Sequence, residues 1–141
     1  MSDAALICDT GALLDYLDRS APDHRAFRRA IDRARARYVP GLVLAEVDSF
    51  LRDDRAAMRA LTRDLSSGAF TLAPVELTSI ERAMEIDRRF AALELGLVDA
   101  SVVALAEQLD VVRLATRDIA DFSAVRLRDG SAFEMVVVPR R

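Results

Sequence analysis

The stretch Ala4-Ala5-Leu6-Ile7-Cys8-Asp9-Thr10-Gly11 decides which fold this sequence predicts. Its short apolar run is typical of a strand that is buried on both faces of an α/β sheet. Helical spacing of apolar residues begins directly after it, so Asp9 stands at the point where the strand ends. Ligands of open α/β sheets bind at the carboxyl ends of strands, which makes Asp9 a candidate site residue. The alternative is that its carboxylate only caps the following helix.

The composition narrows the classes of function. A chain of 141 residues, 52% hydrophobic and 30% charged, is expected to form a single globular domain over residues 1–141. Every basic residue except the single histidine is arginine, so mechanisms that need a catalytic lysine are excluded. One histidine and one cysteine give little support to a histidine triad or a zinc site. No apolar run approaches the roughly 18 residues of a membrane span, and a cytoplasmic location is expected.

The rest of the chain alternates between strand and helix patterns, which predicts a mainly parallel sheet with helices on both faces. Ser20 is expected to be the N-cap of a helix that runs to about Arg37. A capping box is predicted at Thr78-Ser79-Ile80-Glu81. Further strands are predicted at about 111–116 and 134–138.

Three more acids occupy positions that suggest a site. Glu46 lies on or beside the apolar face of a predicted helix, where a bare carboxylate is costly. Asp99 stands in the first turn of another helix, where interaction with the helix dipole is the alternative. Asp118 directly follows a predicted strand, where a turn role is the alternative. With Asp9 these acids can converge on one rim of the sheet. Ligands that offer only oxygen atoms favour Mg²⁺ or Mn²⁺ over zinc.

Arginines crowd the second predicted helix. Arg28, Arg29, Arg33 and Arg35 are expected to form a broad basic stripe, with Arg28 and Arg35 aligned one heptad apart. Such a run is most often a solvated face. The alternative is a surface that contacts the phosphates of a nucleic acid.

Several segments of the sequence resemble PIN-domain ribonucleases, and most closely the VapC toxins of bacterial toxin–antitoxin pairs. The segments are Ile7 to Leu14, Ala45-Glu46, Gly96 to Ala100, and Ala115 to Asp118 with Asp121-Phe122. The resemblance implies a three-layer α/β/α domain with a mainly parallel central sheet. It maps four catalytic, metal-binding acids to Asp9, Glu46, Asp99 and Asp118, with Thr10 and Thr116 as supporting residues and Asp121 as an auxiliary acid. Gly11 stands where a serine is more common, which removes a hydroxyl group from the expected site.

The same resemblance implies an activity and partners. The expected function is a Mg²⁺-dependent endoribonuclease, with Mn²⁺ as a substitute, that hydrolyses RNA through metal-activated water. A homodimer and inhibition by a cognate VapB-type antitoxin are also expected. Members of the family attack tRNA anticodon regions or the ribosomal sarcin–ricin loop, and the sequence does not choose between tRNA and rRNA.

Two alternatives follow from the same residues. A catalytically inactive PIN-like module would bind RNA or a protein without cleaving, but the presence of all four acids argues against it. Asp9-Thr10-Gly11 also matches the active-site triplet of aspartic proteases. Those enzymes need an all-β surround, whereas most of this chain has helical patterns.

Overall fold

Five short strands form the centre of the computed structural model, which describes residues 4–140. They are β1 (Leu6–Cys8), β2 (Arg37–Pro40), β3 (Thr71–Ala73), β4 (Arg113–Ala115) and β5 (Glu134–Met135). Their order in the sheet is β3-β2-β1-β4-β5, and every neighbouring pair is parallel. The predicted parallel α/β sheet is therefore confirmed.

Helices connect the strands, as parallel strands require long crossover connections. They are α1 (Thr10–Leu17), α2 (His24–Arg33), α3 (Gly41–Phe50), α4 (Arg55–Ser67), α5 (Leu77–Arg89), α6 (Gly96–Leu109) and α7 (Ile119–Ala124), with a 3₁₀ turn at Ala91–Leu93. The chain builds the sheet from β1 to β3 in one direction and then returns to add β4 and β5 on the other side of β1. Because such crossovers are right-handed, the two directions place helices on opposite faces and produce three layers.

β1 lies at the centre of the sheet, and its position creates a crevice beside it. Leu6, Ile7 and Cys8 are fully buried, as the apolar run predicts. The strand order reverses between β1 and β4, and such a switch point leaves a crevice at the carboxyl ends of the two strands. Asp9 follows β1 and Asp118 follows the end of β4, so the fold brings both residues to this crevice.

α6 packs closely against neighbouring elements of the fold. Its side chains Ala100, Val102, Val103 and Ala106 are fully buried, and the helix packs against α5 and α3. Burial of one valine side chain stabilises a fold by about 1.5–3 kcal/mol. The first turn of α6, which contains Asp99, is therefore fixed relative to the sheet.

Two predicted helix starts are wrong. Ser20 does not cap α2, because its hydroxyl donates to Asp18 at 2.6 Å and Asp23 occupies the N-cap position. α2 also ends at Arg33, since Arg37 belongs to β2. α5 begins at Leu77 without a side-chain cap, so the predicted capping box does not form.

Other predictions differ from the structure only in extent. The strand predicted at about 111–116 spans Arg113–Ala115, and the one predicted at 134–138 spans Glu134–Met135. At the end of α3, the Phe50 side chain is 65% exposed. Among residues 4–140, no helix combines the length and the hydropathy that crossing a membrane requires.

Candidate active site

Asp9 is a buried carboxylate whose two oxygens have different surroundings. The residue is the N-cap of α1 by position, but its side chain makes no capping hydrogen bond. Its Oδ2 accepts a hydrogen bond of 2.8 Å from the Thr116 hydroxyl. Its Oδ1 is buried and has no hydrogen-bond partner among residues 4–140. The capping alternative for Asp9 is therefore excluded, and Oδ1 is left for another ligand.

Thr116 joins the ends of β1 and β4. Besides donating to Asp9, its fully buried Oγ1 accepts a hydrogen bond of 3.0 Å from the Asp118 backbone N–H. One hydroxyl group therefore sets the orientation of the Asp9 carboxylate and the path of the chain into Asp118. Thr10 behaves differently, because its buried Oγ1 has no partner within the described part of the chain.

Asp99, Asp118 and Asp121 form the centre of the acidic cluster. One carboxylate oxygen from each lies within 4.8 Å of the others. Asp118 also caps α7, because its Oδ1 accepts a hydrogen bond of 3.1 Å from the Asp121 N–H. The turn role considered for Asp118 is thus real, but it uses one oxygen and leaves the other available.

Glu46 completes the cluster from α3. It is half-buried in the middle of that helix, one residue before the fully buried Val47. Its negative charge acts on both Asp9 and Asp99, where it helps to raise the pKa of each carboxyl. All four predicted acids and Asp121 therefore interact electrostatically, although among the described residues only Asp99, Asp118 and Asp121 have carboxylate oxygens within 4.8 Å of one another.

The electrostatic cost of this arrangement appears in three pKa values. Burial, followed by repulsion from Asp9, Asp118, Glu46 and Asp121, raises the pKa of Asp99 to about 7. Burial also raises the pKa of Asp9, and this effect outweighs the opposing interactions with the Thr116 hydroxyl and the Thr10 backbone. The pKa of Asp121 is raised by burial and by the neighbouring Asp118. Some of these acids will hold protons near neutral pH unless a cation compensates them.

The donor set fits a hard divalent cation. All the groups that converge on the crevice offer oxygen, which is the ligand atom that Mg²⁺ and Mn²⁺ prefer. Buried polar atoms are normally hydrogen-bonded, and Oδ1 of Asp9 and Oγ1 of Thr10, which have no partner among residues 4–140, are suited to an additional ligand. The carboxylates within 4.8 Å of one another add the negative charge that such a cation would neutralise.

Comparison with known proteins identifies the fold and its relatives. The family model described as the PIN domain matches residues 6–127, a range that contains all five acids of the cluster. The chain belongs to the PIN domain family. It is 36% identical over 134 residues to Ribonuclease VapC26 of Mycobacterium tuberculosis, an alignment that covers 93% of this chain and 99% of the relative.

A solved structure supports the same fold. The crystal structure of Mycobacterium tuberculosis VapC20, described as a sarcin–ricin loop cleaving toxin, superposes with a TM-score of 0.72. The match covers 82% of this PIN domain and 92% of VapC20 at 20% identity, a level that supports the fold alone.

The arginines predicted to form one stripe are separated in this PIN domain. Arg28 stacks on the ring of Tyr16 at 4.1 Å and pairs with Asp32 at 3.5 Å. Arg29 and Arg33 line a groove between α2 and the residues of β5 and the segment that follows it. The predicted helical alignment of Arg28 with Arg35 is wrong, because α2 ends at Arg33.

Arg117 lies between the predicted site residues Thr116 and Asp118 but was not itself predicted as a site residue. Its side chain pairs with Asp15 and Asp23, which do not belong to the acidic cluster. The only local signal is Gly11, which stands in the first turn of α1 where a serine is more common, because the Arg117 side chain passes directly over it.

We expect the metal-free PIN domain to lose stability as the pH rises from about 5 to about 8. The ordinary pKa of Asp99 is 3.8 and its folded value is about 7, so the folded state holds the extra proton between these values. Ionisation therefore costs folding free energy as the pH rises. Asp99 is only half-buried, which reduces the effect to about 1–2 kcal/mol, or roughly 4–8 °C in Tm.

Thermal unfolding in a chelating buffer at both pH values measures this change. The lowered pKa values of Asp23 and Glu107 act in the opposite sense, but only at pH values below their ordinary 3.8 and 4.5. A Tm that is equal or higher at pH 8 would contradict the prediction. The variant Asp99→Asn should show a flatter dependence on pH than the parent protein.

Proposed function

We propose that this PIN domain is a metal-dependent endoribonuclease and the toxin component of a type II toxin–antitoxin system. The observation that carries the proposal is the group Asp99, Asp118 and Asp121 at the switch point of the sheet, with Asp9 and Glu46 near enough to raise the pKa of Asp99. The 36% identity to Ribonuclease VapC26 over almost the whole chain supports RNA as the substrate.

Asp9, Asp99, Glu46 and Asp118 would hold Mg²⁺, or Mn²⁺ in its place, with Asp121 as an auxiliary acid. When bound, the cation supplies a Lewis acid that activates water and offsets negative charge on the phosphate. Thr116 orients the Asp9 carboxylate through its hydroxyl group. The Asp118 oxygen that does not cap α7 would bind the cation or orient the attacking water. Attack by water leaves a 5′-phosphate and a 3′-hydroxyl on the products.

Removal of the metal tests this proposal. The purified protein should cleave RNA in Mg²⁺ and lose at least about 99% of the initial rate in excess EDTA, because the hydrolysis depends on the cation for several kcal/mol of its rate enhancement. Added Mn²⁺ should restore the rate. Mapping of the RNA ends checks the chemistry of the products.

Two outcomes would contradict the proposal. Cleavage that continues in EDTA, or that leaves a 2′,3′-cyclic phosphate, would indicate a different mechanism. RNA binding without cleavage in Mg²⁺ would favour the inactive PIN-like module instead. End mapping on total RNA would also distinguish tRNA from rRNA as the target.

The proposed partner is a VapB-type antitoxin. Five carboxylates in one crevice form a surface that suits an arginine, which can pair bidentately with a carboxylate. We therefore expect the antitoxin to place an apolar helix across the early helices and an arginine at the acidic cluster.

The proposed assembly is a homodimer of single PIN domains, each formed by residues 1–141 and located in the cytoplasm. Several large apolar side chains are exposed on β3, on α5 and between them, as expected for an interface. They are Leu72, Val75, Leu77 and Met84. Light scattering of the purified protein measures the oligomeric state.

RNA affinity is proposed to depend on Arg28, Arg29, Arg33 and Arg35, without a role for them in the chemistry. Arg29 and Arg33 have no carboxylate partner among the described residues, whereas Arg28 is already paired with Asp32. We therefore expect Arg29 and Arg33 to contribute more of the salt-dependent affinity than Arg28.

A further inference from the structure

Arg117 connects the loop 116–118, which contains Thr116 and Asp118, to three distant parts of the chain. Its Nη1 pairs with the carboxylate of Asp15 in α1 and with Asp23 Oδ2 at 3.0 Å, directly before α2. Its Nη2 donates to the carbonyl oxygen of Arg140 at 3.1 Å, in the segment after β5. The backbone of Arg117 belongs to the loop 116–118, so these contacts anchor the loop through residues outside the acidic cluster.

The charges of the residues that contact Arg117 balance one another. Asp23 is 4% exposed and also accepts hydrogen bonds from Arg140, at 3.0 Å from the backbone N–H and 3.2 Å from Nε. Two carboxylates and two guanidinium groups thus form a neutral network. The hydrogen bonds from Arg117 and Arg140 hold the pKa of Asp23 below its ordinary value, against the effect of burial.

The absence of a side chain at Gly11 leaves room for the Arg117 side chain. A Cβ atom at Gly11 would lie 3.0 Å from Arg117 Cγ, 3.1 Å from Cβ and 3.2 Å from Cδ. These distances are shorter than ordinary van der Waals contact, so a larger residue would require the Arg117 side chain to shift by a few tenths of an ångström. A glycine inside a helix costs about 1 kcal/mol relative to alanine. The passage of Arg117 provides a physical reason for a glycine at this position.

The two neighbours of Arg117 in the loop face the acidic cluster. Thr116 binds the Asp9 carboxylate, and Asp118 contributes an oxygen to the group with Asp99 and Asp121. A rotation of this three-residue loop would move both groups at once. The guanidinium contacts of Arg117 oppose such a rotation, because they fix the residue between the two.

We propose that Arg117 is a positioning residue that sets the placement of Thr116 and Asp118 for metal binding. In this proposal, Gly11 leaves the space that the Arg117 side chain occupies. This inference rests on the proposed function of the same site. Arg117 acts through its neighbours and lies outside the acidic cluster. Loss of a group that hydrogen-bonds directly to a metal ligand typically weakens metal affinity by about 10–100-fold, so we expect a residue that acts through the loop backbone to fall at the lower end of this range.

The test compares Arg117→Gln with Arg82→Gln. Arg82 makes a similar paired contact, with hydrogen bonds of 2.8 and 3.0 Å to Glu107, but it joins α5 to α6 away from the loop. We expect Arg117→Gln to raise the Kd for Mn²⁺, measured by electron paramagnetic resonance, about tenfold. Arg82→Gln should lower Tm and leave that Kd unchanged. A folded Arg117→Gln protein with the parent Kd would overturn the proposal.

A second set of variants tests the pairing with Gly11. Gly11→Ser should raise the Mn²⁺ Kd in the parent protein, because the new Cβ displaces Arg117. In an Arg117→Ala background, which removes Cγ and Cδ and keeps only the 3.1 Å contact with Cβ, Gly11→Ser should have a clearly smaller effect. If the two substitutions raise the Mn²⁺ Kd independently, by factors that multiply, the proposed relation between Gly11 and Arg117 would be contradicted. If Arg117→Ala fails to fold, Gly11→Ser and Arg117→Lys alone decide: both must raise the Mn²⁺ Kd.

The readouts separate this proposal from the proposed function. A tenfold change in Mn²⁺ Kd in a protein that never cleaves RNA supports Arg117 and refutes the ribonuclease. RNA cleavage by the parent protein, with the same Mn²⁺ Kd in Arg117→Gln, supports the ribonuclease and refutes the role of Arg117. Failure of the parent protein to bind Mn²⁺ contradicts both.

Discussion

Replacement of Asp99 by asparagine should reduce RNA cleavage about a thousandfold and at the same time raise the Tm of the metal-free protein. The rate falls because the amide lacks the charge that holds the cation, at a cost of roughly 4 kcal/mol in transition-state stabilisation. The Tm rises because the variant removes a half-buried charge that four other carboxylates repel. These opposite changes distinguish a site residue from a structural one.

The matched control is Asp53→Asn, which makes the same chemical change at an exposed acid in the turn between α3 and α4. It should leave both the cleavage rate and the Tm close to the parent values. Single-turnover rates in saturating Mg²⁺ and thermal unfolding in EDTA provide the two measurements. An Asp99→Asn protein that cleaves RNA at the parent rate would refute the mechanism.

Replacement of Thr116 by valine should damage both activity and stability, although the two side chains have the same shape. Valine leaves the buried Asp9 Oδ2 and the Asp118 N–H without their shared partner. We expect a loss of about 1–3 kcal/mol in the free energy of unfolding. Cleavage should fall about 10–100-fold, as when a partner that orients a metal ligand is lost.

Rescue by Thr116→Ser is the control for this variant. Serine restores the hydroxyl and omits only a methyl group, so most of the activity should return. Urea unfolding and initial cleavage rates measure the two effects. Equal activity in the valine and serine variants would show that the hydroxyl does not orient Asp9.

The positions of the acids could be predicted because they follow from local patterns. Asp9 ends an apolar run, and Asp118 follows a second one. The carboxyl ends of neighbouring parallel strands meet at one edge of a sheet, so their proximity required only the strand assignment. Glu46 was identified by a different signal, the cost of a carboxylate beside an apolar face.

The Arg117 network could not be predicted in the same way. Its partners Asp15 and Asp23 are 102 and 94 residues away in sequence, and no local periodicity records such a contact. The predicted start of α2 was wrong for a related reason. Ser20 and Asp23 are both suitable caps, and the choice depends on Asp18, which accepts the Ser20 hydroxyl. Tertiary and turn contacts decided these positions.

The Thr116 hydroxyl also makes the two carboxylate oxygens of Asp9 inequivalent. A hydroxyl group carries a single hydrogen, and Thr116 directs it to Asp9 Oδ2 while its oxygen accepts from the Asp118 N–H. Oδ2 of the ionised carboxylate is therefore fixed by the protein, whereas Oδ1 has no hydrogen-bond partner among residues 4–140. The asymmetry gives Asp9 one oxygen that holds the loop and one that can meet a ligand.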